Sequence, residues 1–408
     1  MPDDGWRVHL CRVVLTITRS VQLRLLVPVA VVLYALLHTG ASARADTGQE
    51  QLISLGQQLF FDANLSFNRS ASCATCHNPA TAYSDNRHNA SSAPATSAAV
   101  SLGADGQSLG DRNTPTLTYA AMTPDFHIRR DGTFIGGFFS DGRAATLALQ
   151  SEQPILDPLE MAMPDRAAIA ERLRENAHYL SELRRLLGPA AVGDDQSLVA
   201  GARQAIAAFE RSKEFFAFDS KYDRYLAGEY QMTRDEAIGR ELFFSDLTNC
   251  RNCHLAHPDK ISRRETFSNF QYHNVGTPVN QLARKANGLG STFVDAGLAA
   301  NPQTTAEQVG KFRVPSLRNV AVTAPYMHNG VFARLETAVV FYGRHLASNS
   351  IAEINPETRV RWQPPEVADT VDDRFLPQGQ PLEHNRVRQL VAFLRTLTDQ
   401  RYEHLLEP

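Results

Sequence analysis

The sequence predicts a mainly α fold made of two similar halves, with long loops and little strand. Three observations predict it. The run Leu55-Gly-Gln-Gln-Leu-Phe-Phe-Asp62 returns as Ile238-Gly-Arg-Glu-Leu-Phe-Phe-Ser245, each time with apolar residues at helical spacing ahead of a Phe pair. Residues 166–188, 193–213, Leu335–Tyr342 and Arg386–Leu397 read as further helices, the first two with Leu, Ile, Ala and Phe recurring every three or four positions. By contrast 78–115, rich in Ala, Ser, Asn and Gly, and Ser245–Phe332, rich in Gly, Pro and Asn, read as loop. The halves are expected to meet near 213–235, which gives domains at 46–215 and 216–408. The C-terminal helix of the second is expected to cross over and brace the first.

A chain of 408 residues is long enough for two ordinary domains. With 43% hydrophobic and 21% charged residues it has the composition of a packed globular protein, not of a disordered or fibrous one. The first 45 residues read as a secretory signal. Arg7, Arg12, Arg19 and Arg24 precede the uncharged apolar run Leu25–Leu37, and Ala43-Arg44-Ala45 offers small residues for cleavage before Asp46. The alternative, a retained anchor, needs about 20 apolar residues, more than this run has. Without this segment 36 basic and 42 acidic residues remain, a net charge of −6. That balance gives no reason to expect a nucleic-acid partner. A mildly acidic surface is compatible with a small basic electron carrier.

Cys11 falls in the signal. The other four cysteines form two matching patterns, Cys73-Ala-Thr-Cys76-His77 and Cys250-Arg-Asn-Cys253-His254. Four cysteines in an exported chain suggest disulfides, a four-cysteine zinc site or redox dithiols. All three leave the histidine after each pair unexplained. Cys-x-x-Cys-His is the attachment pattern of c-type haem: the two thiols add to the two vinyl groups of the porphyrin, and the histidine below the ring ligates the iron. Two such motifs, using every cysteine of the mature chain, predict two covalently bound haem c groups, and so two cytochrome c-like haem domains.

An electron-transfer haem is closed on both faces, whereas a catalytic one keeps a face open, so the distal residues decide the function. Ala324-Pro-Tyr-Met-His-Asn-Gly330 offers Met327 as a distal thioether, which raises the iron potential and suits an electron store; His328 is a rival from the same loop. Near the other haem no such Met presents itself. Gln150 and Glu160 stand ten residues apart, with Pro154 and Pro158 between them expected to stop any helix and hold an extended turn. A buried carboxylate there could move a proton between peroxide oxygens, and an amide could hold the peroxide. Taken alone, Glu160 reads as an ordinary surface carboxylate.

These blocks together resemble the bacterial di-haem cytochrome c peroxidase family, which includes the MauG-type enzymes, over residues 52–400. The resemblance is carried by Leu59-Phe-Phe-Asp-Ala-Asn-Leu-Ser66 with Cys73–His77, Arg112-Asn-Thr-Pro-Thr116, Asp141-Gly-Arg-Ala144, Pro158-Leu-Glu-Met161, Cys250–His254 and Phe312–Gly330. It implies that His77 is the proximal ligand of the peroxidatic haem and that Gln150 and Glu160 are its distal amide and acid–base carboxylate. It implies that His254 and Met327 ligate the electron-transferring haem, and that Asn113 holds one inter-domain calcium ion. MauG-type enzymes carry Tyr at the Met327 position, so Met327 favours the peroxidase branch. The implied activity is reduction of hydrogen peroxide to water in the periplasm, with electrons from a small c-type cytochrome or a blue-copper cupredoxin, by a chain that pairs as a homodimer in many relatives. The alternatives are a MauG-like oxidase that modifies a partner protein's side chain, and a non-catalytic di-haem electron carrier.

Two departures from the family pattern stand out. Ser140 replaces the Trp that usually precedes Asp-Gly-Arg between the haems, and Trp362 is the only Trp beyond the signal. The His that closes the resting peroxidatic iron in many members is missing from Leu102–Gly110, and His88 sits too early to replace it. An open peroxidatic iron that needs no reductive activation is therefore expected.

Overall fold

The computed structural model describes residues 47–85, 87, 99–255, 264–290, 292–345, 353–376, 380 and 382–406. The predicted signal segment and His88 lie outside them. The chain divides into two units, 1–52 and 53–408. Of the first, residues 47–52 are described and are helical; the account below concerns the second.

The architecture is mainly helical, and the helices are short. In order they are α1 (47–60), α2 (Cys73–Cys76), α3 (Leu147–Gln150), α4 (Gln153–Leu156), α5 (Arg166–Arg174), α6 (Ala177–Leu187), α7 (Asp195–Glu210), α8 (Lys221–Ala227), α9 (Arg234–Phe244), α10 (Cys250–Cys253), α11 (Gln281–Ala286), α12 (Leu335–Gly343) and α13 (His384–Arg395). Strand among the described residues is confined to two antiparallel pairs. β1 (His127–Ile128) pairs with β2 (Phe134–Ile135), and β3 (Tyr272–His273) with β4 (Phe312–Arg313). None of the described helices is long and apolar enough to cross a membrane.

Local chemistry sets several boundaries that periodicity alone leaves open. The apolar repeat over 166–188 is two helices, because the Asn176 side chain accepts a bond from the His178 N–H and starts a new one. Asp165 and Asp194 cap α5 and α7 in the same way. Thr233 and Glu236 form reciprocal bonds at the start of α9. Pro154 does not stop a helix as expected: it lies in the first turn of α4, where the missing N–H has no intrahelical partner to lose. The segment after it turns at Asp157, ahead of Pro158.

The duplication read from the sequence is a duplication of packing. Gly56 on α1 touches α7, and Gly239 on α9 touches α13. A Cβ at Gly56 would lie 1.8 Å from the Ala205 carbonyl oxygen, and one at Gly239 would lie 1.8 Å from that of Gln389. The following aromatics seal each crossing: Phe60 meets Phe209 with centroids 5.4 Å apart, and Phe243 meets Phe393 at 5.2 Å. The Phe faces therefore pack first on aromatic side chains. Phe60 also meets Phe215 and Tyr83, and Phe243 also meets Phe267.

Helix α13 packs on α9 of its own half. The cross-brace comes from the residues after it. Asp399 is fully buried; its Oδ1 accepts from the Tyr119 hydroxyl at 2.5 Å and its Oδ2 from Asn319 Nδ2 at 2.9 Å. Tyr119 and Asn319 occupy matching places, four residues after Pro115 and Pro315, and both have left-handed backbones at φ +60°. Arg401 adds an ion pair to Glu214 at 3.1 Å.

Replacing Gly239 or Gly56 by Ala should push the crossing helices apart and destabilise the protein by at least ~1–3 kcal/mol. Denaturant unfolding of each single variant measures this, and an unchanged midpoint would mean that the helices do not cross this closely.

Candidate functional site

Each cysteine pair lies on one turn of helix, which puts both sulfurs on one side and ends at the histidine. In the first, the Ser72 N–H donates to Thr75 Oγ1 at 2.9 Å and the His77 N–H to the Cys73 carbonyl at 2.9 Å. In the second, the His254 N–H donates to the Cys250 carbonyl at 2.9 Å. None of the four cysteines is in a disulfide. Burial pushes the thiols of Cys76 and Cys250 up to about 11, unlike the lowered thiols of redox pairs and metal thiolates. Among the described residues no three His, Cys, Asp or Glu side chains converge as a metal site would require.

Each histidine meets the backbone carbonyl of an aromatic residue, and a proline carbonyl, Pro115 or Pro315, lies near as well. His77 Nδ1 lies 3.0 Å from the Tyr83 oxygen, and His254 Nδ1 lies 3.0 Å from the Phe267 oxygen. A carbonyl only accepts, so Nδ1 carries the proton and Nε2 keeps its lone pair, the arrangement an iron ligand requires. Burial holds both imidazoles below their ordinary range, His254 at about 4. Tyr83 and Phe267 aim these carbonyls from left-handed backbones, φ +54° and +57°. Their rings, anchored on Phe60 and Phe243, lock the conformation. Two thiols and one neutral, Nδ1-protonated imidazole on a single turn are the donor set of c-type haem, and the residues present fit two such groups.

Around the first turn the structure brings Glu160 within electrostatic reach of both Cys73 and Cys76. Glu160 follows α4, its N–H bonded to the Asp157 carbonyl at 3.0 Å and its own carbonyl accepting from the Ala104 N–H at 2.6 Å. Burial, reinforced by Asp157 and opposed by Arg143, raises its carboxyl to about 7, a value suited to proton exchange near neutrality. Gln150 ends α3, half-buried. A second acid was not anticipated. Glu210, at the end of α7, is 3% exposed, has one carboxylate oxygen without a partner, and lies close enough to Cys73 to raise its thiol. Burial raises Glu210 to about 8. Its place at the end of a strongly apolar helix is the only sequence signal for it.

Around the second turn the outstanding neighbour is Tyr342 on α12, which sequence reading missed. The residue is 38% exposed, but its hydroxyl end is desolvated by the surrounding protein and, with Cys253 and Cys250 nearby, is held above the usual phenol range. Met327 lies in a cluster with Phe332, Ala338 and Phe341, beside Tyr326 and Trp362. His328 stacks on Phe312 at 3.6 Å and is driven down to about 3 by burial. Two features hid Tyr342: Leu335–Tyr342 reads as an ordinary apolar helix, and Met327 is the more familiar ligand type.

The seam between the halves is ionic. Arg112 pairs with Asp141 at 2.6 Å and with Asp295 at 2.7 Å, and Asp141 also takes Arg143 at 2.8 Å. Asn113, the expected calcium ligand, lies on this seam: its N–H donates to the His328 carbonyl at 2.8 Å and its Nδ2 to the Ala99 carbonyl at 3.3 Å. Its Oδ1 is the atom a cation would use. Ser140, in the place of the usual Trp, accepts from the Arg313 N–H at 2.8 Å through its carbonyl. Trp362 packs edge-on against Phe332 and Phe341 at 5.4 and 5.3 Å, half-buried beside the helix that bears Tyr342.

Comparison with known proteins agrees with this geometry. Residues 50–231 match the family model described as di-haem cytochrome c peroxidase. The chain is 48% identical to the methylamine utilization protein MauG of Paracoccus denitrificans, over 95% of this chain and 97% of that protein. It is 28% identical to the cytochrome c551 peroxidase of Nitrosomonas europaea, covering 72% and 73% of the two chains. Among solved structures, the diheme peroxidase BthA of Burkholderia thailandensis superposes with a TM-score of 0.74 at 31% identity, covering 87% of this chain and 88% of that one. A likeness of that extent, joined to two haem-attachment turns built on one plan, settles the family: the chain belongs to the di-haem cytochrome c peroxidase and MauG family of oxidoreductases.

Proposed function

We propose that this protein is a periplasmic di-haem oxidase of the MauG type, which uses hydrogen peroxide to withdraw electrons from a side chain of a partner protein. The observation that carries this reading is Tyr342, whose phenol lies within electrostatic reach of Cys250 and Cys253. A thioether ligand stabilises reduced iron and makes an electron store. A phenol that gives up its proton on binding iron would stabilise the oxidised metal and suit a centre that holds oxidising equivalents for use elsewhere. We read Tyr342, and not Met327, as the residue that would join His254 in holding the second haem. The 48% identity to a MauG along nearly the whole chain supports the same branch, and so does the oxidisable Trp362 packed on α12.

When bound, the haem beneath His77 would supply the iron at which peroxide is reduced. The chain's own part is proton handling and orientation. Glu160 accepts the proton from one peroxide oxygen and returns it to the other, which leaves as water. Gln150 is placed to hold the peroxide by its amide. Reduction of peroxide to two waters takes two electrons and two further protons, the electrons coming from the partner's side chain. Asn113 Oδ1 would contribute to a calcium ion at the seam. The first 45 residues would export the chain.

A second reading, a peroxidase fed by a small cytochrome c or cupredoxin, is favoured by Ser140, because neither Ser140 nor Phe138 and Phe139 offers an easily oxidised side chain there. Reduced cytochrome c separates the two: rapid oxidation of it by peroxide, catalysed by this protein, would overturn the MauG-type reading.

Four outcomes are expected. Replacing Cys73 and Cys76 together by Ala, or Cys250 and Cys253 together, should leave a single haem retained on a denaturing gel, read by haem staining. Replacing Glu160 by Gln should keep both haems but slow the peroxide reaction by about 10²–10⁴-fold. In the native protein the rate should climb as pH rises through about 7, because only the carboxylate accepts a proton. Replacing Tyr342 by Phe should change the optical and spin-resonance signature of the second haem, whereas Met327→Leu should not.

A further inference from the structure

Electrons must pass from the second half to the first haem, and the seam around Ser140 offers no easily oxidised side chain. A tyrosine can carry an electron only if a nearby base takes its proton, because an oxidised phenol is a strong acid. Tyr272, on the seam, donates its hydroxyl to the Gly136 carbonyl, which cannot keep a proton. Tyr83 donates to Glu214 at 2.9 Å, but that carboxylate is 45% exposed and already paired with Arg401. Tyr119 is different. It is 1% exposed, its hydroxyl donates to the fully buried Asp399 carboxylate at 2.5 Å, and the Phe218 N–H donates to its oxygen at 2.9 Å. We propose that Tyr119 and Asp399 form a redox pair between the two haem turns: Tyr119 passes an electron to the first haem and takes one from the second, while its hydroxyl proton moves to Asp399 Oδ1 and returns. The proposal rests on the reading that peroxide reacts at the first haem.

Tyr119 touches the support of both histidines. Its N–H donates to the Phe215 carbonyl at 2.8 Å, and the Phe215 ring lies 4.3 Å from that of Tyr83, whose carbonyl meets His77. On its other side the Arg318 guanidinium lies 5.4 Å from the Tyr119 ring and 5.4 Å from that of Phe267, whose carbonyl meets His254. The surroundings also favour the move of the proton. Asp399 takes its other side-chain bond from Asn319 Nδ2 at 2.9 Å, a neutral donor. The buried cation nearby, Arg318, is forked onto Asp223 at 2.5 and 3.0 Å. Asp399 is thus a buried anion that no ion pair offsets among the described residues, and burial pushes its carboxyl up. When Tyr119 loses an electron, its O–H bond breaks, an O–H bond forms on Asp399, and the pair passes from one negative charge to none. The oxidant is hydrogen peroxide, which takes two electrons as it becomes two waters. Tyr119 relays them one at a time: an electron from the second half restores the phenol, and Asp399 gives the proton back before the next electron passes.

The test uses the protein carrying both haems, mixed with hydrogen peroxide in the absence of any partner or donor and frozen at once for electron spin resonance. The native protein should show an organic-radical signal that narrows when its tyrosines are ring-deuterated, which separates tyrosine from Trp362. Tyr119→Phe keeps the ring and should lose the signal with both haems retained on a denaturing gel. Asp399→Asn, which cannot keep the proton, should lose it too, and Tyr83→Phe should keep it. If neither Tyr119→Phe nor Asp399→Asn retains both haems, the native protein decides. Ring deuteration must then narrow the signal, and exchange into heavy water must remove the coupling to the proton shared with Asp399; a signal that fails either overturns the proposal. Peroxide consumed without a tyrosine signal, or with one that survives in Tyr119→Phe, overturns the role of Tyr119 alone. Peroxide left unconsumed by the native protein overturns the reading of the first haem, and the relay with it.

Discussion

Each half of this protein is organised around a buried backbone carbonyl that takes the Nδ1 proton of a histidine. That bond fixes the tautomer, leaves Nε2 bare, and sets the plane of the imidazole. It is made by Tyr83 in one half and Phe267 in the other, both in a backbone region that costs an L-residue about 1–2 kcal/mol. The packing of Tyr83 on Phe60 and Phe215, and of Phe267 on Phe243, offsets that cost. Those phenylalanines are the ones that follow the close helix crossings at Gly56 and Gly239. Crossing, aromatic cluster, strained carbonyl and proximal histidine therefore form one unit, used twice.

The halves then diverge where chemistry requires it. In the first, the turn after α4 carries Glu160 towards the cysteines, where burial raises its carboxyl to about 7. In the second, α12 brings a phenol to the equivalent pair. The seam between them is made of charge more than of apolar surface, with Arg112 bridging Asp141 and Asp295 and Asp399 gathering Tyr119 and Asn319. Buried ion pairs add little net stability, but each demands its partner in place. Such a seam suits two centres that must keep a fixed separation.

Much of the fold was legible. The repeated Leu-Phe-Phe run announced the duplication, and the helices around Ile206, Val340 and Leu390 follow the apolar period. Where the reading slipped, local side chains overrode the period: Asn176 splits one apparent helix, and Pro154 begins a helix instead of ending one. The C-terminal brace was sought in a helix and is made by Asp399 and Arg401 just beyond it, because buried polar contacts leave no periodic trace.

The sequence by itself determined the family, the two attachment turns and their histidines, since covalent spacing within five residues needs no tertiary information. It also picked out Glu160, whose approach to Cys73 and Cys76 is a fact of folding. Only the tertiary structure decided which side chains gather around those turns. Tyr342 lies far along the chain from Cys250, and Glu210 comes to Cys73 from the end of α7. Such neighbours arrive through long-range packing, and a single sequence does not encode their distances in any local pattern.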